Sequence, residues 1–370
     1  AWRDFVATQS GTNIFHTPEM TEVFARAQGH RASTWGVTDA TGALQALFVP
    51  VEVTLGDHLP RLARGLTRTL TSRAVAYGGA VCAGGGIGSQ AVGELLAAYR
   101  RQAAHVLFTE VRHLSDAFDT RAALRAAGFA HERHLNYLVR LDRPEAELWA
   151  ALSRSARQRI RSGERKGVVV EAVAATPDAR GSDEAGEAYR LLDQVYRRAR
   201  VPLADRSLFD AAVSVLGPRT MCHLVTARLA GEVIGARFVL LHKGRMIDWY
   251  AGSDRSFAAF SPNEVLVWHV LRWGREQGFD LHFRLVDAGA RESLRRGAVR
   301  PRRISARTVS GGLSKQRGAR TRGPSARHPP RSPCQRLPSR LVPPTVAGAS
   351  RPAPARSDRR RGTRRPPGPR

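Results

Sequence analysis

Three arginines at a four-residue spacing, Arg157, Arg161 and Arg165, fall on one face of any helix that contains them. Guanidinium groups contact phosphate oxygens in pairs, so such a face can hold a polyanion. The plainer alternative is a solvated basic face with cations near the negative end of a helix. Further along, Ser261-Pro262-Asn263 sets a hydroxyl N-cap and a first-turn proline at a helix start. Free N–H groups and the helix dipole attract anions there, although a well-capped helix needs no ligand to explain it. On the strand leading to that helix stand Asp248, Trp249 and Tyr250. Alternation sends Trp249 and Tyr250 to opposite faces and puts Asp248 on the face of Tyr250. A cleft-facing tyrosine can orient an attacking amine or donate to a developing oxyanion, and Asp248 beside it can take the amine proton. A tyrosine packed in the core is the alternative.

Other chemistries find little support. The run Gly84–Gly88 lacks the spacing of a dinucleotide loop and reads as a loop before a helix. Neither the histidines nor Cys82, Cys222 and Cys334 show metal-ligand spacing, and the cysteines outline no disulfide framework. No Ser-x-Gly elbow points to a covalent nucleophile.

The elements that must position these residues fall into two lobes. In residues 1–139, Thr17-Pro18-Glu19 starts a helix with a hydroxyl cap, a proline at the first position and an acid near the positive end. The apolar runs 34–38 and 44–53 flank Asp39-Ala40-Thr41-Gly42 and read as a hairpin. A helix over about 90–104 and strands near 106–111 and 135–141 complete the lobe. In residues 140–283 the expected order is helix over 144–166, strand 168–173, helices 184–198 and 207–216, then a hairpin over 221–241. Strand 246–251, a helix from Pro262 to about Gln277 and a final strand 279–283 follow. This order predicts an α/β (α+β) protein of two lobes with mixed sheets.

Charge separates a third segment. Of 59 Lys+Arg and 32 Asp+Glu in the chain, 24 and three lie from Arg284 onward, so that segment carries +21 and residues 1–283 only +6. It also holds 13 of the 21 prolines and no Phe, Trp or Tyr. Such a composition buries too little apolar surface to offset the entropy of ordering, so residues 284–370 are expected to be a disordered Arg/Pro-rich tail. The composition also fits a shifted reading frame, and the chain opens on Ala1 without an initiator methionine, as a truncated product would. No apolar run reaches the ~20 residues of a membrane span. No signal peptide is evident. The expected setting is the reducing cytoplasm.

Four stretches in order over the second lobe resemble the FemAB-type peptidoglycan aminoacyltransferases and the related acetyltransferase-like family of polysaccharide loci. They are Leu148-Trp149 with Arg157-Gln158-Arg159-Ile160-Arg161-Ser162-Gly163-Glu164-Arg165-Lys166-Gly167-Val168, and Arg200-Val201-Pro202-Leu203 with Leu208-Phe209. The third is Tyr250-Ala251-Gly252-Ser253 with Ser261-Pro262-Asn263-Glu264-Val265-Leu266-Val267-Trp268, and the fourth is Gly278-Phe279-Asp280-Leu281-His282-Phe283. In the first lobe Ile14-Phe15-His16-Thr17-Pro18 and Tyr77-Gly78-Gly79 also fit. The resemblance implies two GNAT-like lobes with a substrate channel between them, and direct attack of an amine on a bound ester or thioester. It implies that the helix start at Ser261-Pro262-Asn263 corresponds to the one that receives coenzyme A pyrophosphate in GNAT folds. From Arg284 the chain departs from the family, whose closing Phe-Lys segment contributes to the transfer site, so the chain as written is expected to be unstable or inactive.

The expected function is transfer of an aminoacyl group from aminoacyl-tRNA to an amine of a nucleotide- or lipid-linked peptidoglycan precursor. Tyr250 and Asp248 are then the catalytic candidates, and Arg157, Arg161, Arg165, Ser261 and Asn263 bind substrate. Acyl-CoA-dependent N-acylation in polysaccharide or envelope synthesis is the second reading, and a non-catalytic polyanion binder the third. No permanently bound cofactor or metal is expected. The protein is expected to be a monomer, cytoplasmic or peripheral at the inner face of the membrane.

Overall fold

The computed structural model describes residues 1–54, 72–84, 86–114, 118–133, 136–284, 302–304, 307–312 and 340–345. Its first lobe opens with α1 (Trp2–Thr8) and α2 (Pro18–Arg26). Thr17 caps α2 as its sequence requires, the hydroxyl accepting the Met20 N–H at 3.1 Å, with Pro18 in the first position. Strands β1 (His30–Ala32), β2 (Thr34–Thr38), β3 (Leu44–Phe48) and β4 (Val51–Val53) follow. β2 and β3 form the expected hairpin, and Asp39 Oδ1 accepts the Thr41 and Ala43 N–H groups to close its turn. The apolar run 44–53 does not stay one strand. Pro50, which lacks an N–H to donate, separates β3 from β4, and the two enter different sheets.

The lobe continues through β5 (Arg73–Tyr77), β6 (Ala80–Cys82), α3 (Gly86–Gln102), β7 (Phe108–Arg112), α4 (Phe118–Ala126) and β8 (Ala130–Arg133). Next come β9 (Asn136–Arg140), α5 (Glu145–Ala151), α6 (Arg154–Arg165), β10 (Val169–Ala174), α7 (Ala179–Ala199) and α8 (Arg206–Leu216). The second lobe closes with β11 (Cys222–Leu229), β12 (Glu232–His242), β13 (Arg245–Ser253), α9 (Pro262–Glu276) and β14 (Leu281–Arg284). Three further strands are described beyond: β15 (Arg302–Ile304), β16 (Arg307–Gly312) and β17 (Arg340–Thr345).

The strands form three sheets, ordered β1-β4-β5-β7-β16-β8, β10-β11-β12-β13-β14-β9-β15 and β17-β2-β3-β6. The two larger sheets are mixed, since β5 runs parallel to β7 and β13 parallel to β14 while their other pairs are antiparallel. β9 lies across the boundary expected at 139/140 and pairs with β14, so it is built into the second lobe's sheet. The long helix expected over 144–166 is two helices, because the chain breaks at Leu152-Ser153 and Ser153 caps α6 by accepting the Ala156 N–H.

Two cores flank the seven-stranded sheet. On one face Leu191, Leu192 and Phe209 of α7 and α8 pack with Phe238, Ile247 and Trp249, and with Phe15, Met20 and Phe24 of the first lobe. The lobes therefore share a hydrophobic core. On the other face Leu148, Ile160, Leu266 and Leu271 of α5, α6 and α9 cover Ile234, Val239 and Met246. Lys243, in the turn between β12 and β13, adds a polar tie by donating to the carbonyls of Val6 and Gln9, each at 2.9 Å.

Candidate functional site

β12 is an interior strand of its sheet, between β11 and β13, and residues 233–241 are all buried. A strand covered on both faces should be apolar throughout, yet Arg237 sits in its middle at 1% exposure. A buried guanidinium requires an acid, and the neighbouring strand supplies Asp248. One arm of Arg237 donates to Asp248 Oδ2 and the other to Asn263 Oδ1 in the first turn of α9. Two strands and a helix start are thereby tied at one point.

The expected placement of Asp248 and Tyr250 is corrected by a bulge. Phe238 pairs with Tyr250 and Val239 with Asp248, so Trp249 is an extra residue with no opposite. An inserted residue reverses the side-chain alternation beyond it. Trp249 and Tyr250 consequently point to the same face, their rings 5.0 Å apart and both against Phe209. Asp248 is left on the opposite face with Arg237 and α9, at 4% exposure. Tyr250 is half-buried beside Tyr196 and Phe209, on the face toward α7 and α8.

The three arginines of α6 do share a face, but each is engaged differently. Arg157 turns back to cap α5, its Nη1 donating to the carbonyls of Ala150 at 3.0 Å and Leu152 at 2.7 Å. The guanidinium of Arg161 lies 5.2 Å over the ring of Trp149, which meets Trp268 of α9 edge-on. Arg165 is exposed and donates to the carbonyl of Arg161. Arg157 thus does local structural duty, while Arg161 and Arg165 remain on the surface.

Ser261 is the N-cap residue of α9, but its hydroxyl makes no capping hydrogen bond. It takes a left-handed conformation, φ +53°, and is buried at 8% exposure. For a residue with a Cβ this conformation costs roughly 1–2 kcal/mol. The helix start is instead held from outside. Arg159 of α6 pairs with Glu264 at 2.9 Å, and Lys166 donates to the carbonyl of Ala259 at 2.8 Å in the segment leading to it. Gly163 permits this approach: a Cβ there would sit 2.5 Å from the Phe260 carbonyl oxygen and 2.7 Å from Val265 Cγ2. Gly163→Val is expected to cost about 1–3 kcal/mol through overpacking, read as a lower urea midpoint. An unchanged midpoint would mean that α6 can shift away freely.

The sequence reading missed Arg237 and Gly163. For Arg237 a signal existed, a single charge inside an unbroken apolar run. For Gly163 none did, because only the packing of α6 on α9 shows what a side chain would strike. Among the described residues no group of three or more His, Cys, Asp or Glu is placed to hold a metal ion. No helix of the described residues is long and apolar enough to cross a membrane.

A family pattern described as an acetyltransferase (GNAT) domain matches residues 154–292, from α6 through β14 and beyond. Over these residues the chain is similar to a GNAT acetyltransferase domain. Two solved structures share the fold over most of its length. FemX is 14% identical with a TM-score of 0.53, covering 76% of this chain and 85% of that one. L-PGS from Bacillus licheniformis is 13% identical with a TM-score of 0.50, covering 85% and 92%. No curated protein matches the chain by sequence. The matched residues contain the Arg237–Asp248–Asn263 tie, the bulge at Trp249 and the first turn of α9. The first lobe supplies α2, which packs against α8 from behind.

Proposed function

We propose that this acyltransferase moves an aminoacyl group from aminoacyl-tRNA to an amine of a nucleotide- or lipid-linked peptidoglycan precursor. The observation that carries the reading is the FemX-like fold over both lobes, not the GNAT domain alone. The chemistry needs no covalent enzyme intermediate. The acceptor amine attacks the ester carbonyl, a C–N bond forms, the ester C–O bond breaks, and the proton lost by the amine ends on the departing tRNA hydroxyl oxygen. Positioning and stabilisation of the oxyanion then supply most of the rate. The first turn of α9, at Ser261 and Asn263, receives donor phosphate through backbone N–H groups. Arg161 and Arg165 are the exposed cations for the rest of the polyanion, and Tyr250 orients the amine or donates to the oxyanion. Asp248, sealed beneath α9, serves the tie with Arg237. We place the reaction in the cytoplasm, at or near the inner membrane face, and carried out by a monomer.

The GNAT domain match favours a second reading, N-acylation of an amine from acyl-CoA at the same helix start. Offering the protein charged tRNA and acetyl-CoA separately, with a lipid- or nucleotide-linked precursor as acceptor, decides between them. The expected result is an aminoacylated precursor, seen by mass spectrometry, only with charged tRNA. Acetylation alone would establish the second reading, and no product with either donor would overturn both.

A further inference from the structure

We infer that Arg237 is a positioning residue: it fixes the first turn of α9, and so sets the donor end of the acyl-transfer site without touching donor or acceptor. This rests on the proposed reading of that turn as the donor phosphate site. At 1% exposure Arg237 is out of reach of any substrate. Its two arms meet Asp248 on β13 and Asn263 on α9, so one side chain spans the strand that carries the bulge and the helix that follows it.

The turn has need of such a mooring. Its own N-cap hydroxyl makes no capping bond, and its cap residue is held in a left-handed conformation. A helix start that lacks a side-chain cap frays unless other groups hold it. From the α6 side it is held by Arg159 to Glu264 and by the close approach at Gly163. From the sheet side, Arg237 to Asn263 is the polar contact that completes the clamp.

Stability alone does not account for this arrangement. A buried ion pair is often no more stabilising than well-packed apolar residues of the same volume, because desolvation offsets the attraction. What an apolar pair cannot supply is a directional link from the sheet to one residue of the helix start. A guanidinium provides it, since its two arms are rigid with respect to each other.

Two variants test the inference from both ends of the link. Asn263→Ala removes the anchor point and leaves the Arg237–Asp248 pair intact. Arg237→Lys keeps a cation for Asp248 but replaces the fork with a single ammonium. Amide exchange at residues 263–266 is expected to quicken about tenfold or more in both variants, with the rest of the second lobe unchanged. With whichever donor supports turnover, the donor KM is expected to rise about tenfold while kcat and the acceptor KM stay within about twofold. Because Arg237 cannot reach the donor, equal behaviour of the two variants separates positioning from a direct contact by Asn263. Exchange that does not quicken in Asn263→Ala would overturn the anchor, even if Arg237→Lys failed to fold. Quickened exchange with an unchanged donor KM would show a structural role only and would equally overturn the inference. If the wild-type protein transferred from neither donor, the functional reading would fall and take the donor end of the inference with it. The exchange rates tell that failure apart from failure of the anchor.

Discussion

Between pH 6.5 and 4 the protein is expected to lose about 5 kcal/mol of stability through two buried histidines. His16 is fully buried, and burial is the main cause that pushes its pKa down from 6.5 to about 4. Its Nδ1 accepts the Asn13 N–H at 3.1 Å and its Nε2 faces the Gly79 carbonyl at 3.1 Å, so the neutral tautomer with a proton on Nε2 satisfies both nitrogens. His113, on the other side of the Gly78-Gly79 turn, is pushed down to about 4 by burial first, then by the charges that His16, His131 and Arg121 would present. Both imidazoles are neutral in the fold. The unfolded chain takes up protons below about pH 6.5, so it binds more of them than the folded chain down to about pH 4. Stability is therefore complete above pH 6.5 and falls as the pH drops toward 4. Each histidine alone contributes about 3 kcal/mol, and the pair somewhat less than twice that because part of the His113 shift is the charge that His16 would present. A loss of this size is comparable to the whole stability of many domains, about 5–15 kcal/mol. Urea midpoints measured from pH 8 to 4 should fall steeply below 6.5, and His16→Gln, whose amide can still donate to the Gly79 carbonyl, should make that fall shallower. A flat profile for the wild type would sink the prediction.

In the sequence His113 is visible only as a residue without metal spacing, and His16 as that and as part of the stretch Ile14–Pro18 that fits the family, and the reason is general. What makes them matter is the Gly78-Gly79 turn, whose φ values of +92° and +83° bring backbone against both rings. Local signals were read well where a cap, a turn or a period is written in adjacent residues. The cap at Thr17, the turn at Asp39 and the proline at the start of α9 all stand where expected. What local signals do not hold is pairing between distant segments. β9 belongs with β14, Arg140 pairing with Leu281. The bulge at Trp249 depends on the register of β12 against β13, and without it Asp248 and Tyr250 would share a face. The capping role of Arg157 follows from a helix break at Leu152-Ser153 inside a run that looks uniformly helical. The candidate site was thus legible in its parts, the helix start and the strand before it, while the side chain that joins them was not.

Asp248→Ala is expected to destabilise the protein by about 3–5 kcal/mol, because it strands the charge of Arg237 in the core. The two side chains are 1% and 3% exposed, and water cannot replace the lost carboxylate. Arg237 would retain Asn263, a neutral hydrogen-bond partner. Replacing both members, as Arg237→Met with Asp248→Leu, removes the buried charge together with its partner and should recover most of the loss, or exceed it. The comparison separates two accounts of the pair. If the pair is there for stability, the double variant stays as damaged as Asp248→Ala. If it is there to hold α9, the double variant regains its urea midpoint and yet exchanges amide protons faster at residues 263–266. The second outcome is the one expected from the geometry, since an apolar pair fills the space but reaches no atom of Asn263. Equal midpoints for the wild type and Asp248→Ala would mean that the guanidinium finds another countercharge, and the account of a sealed tie would fail.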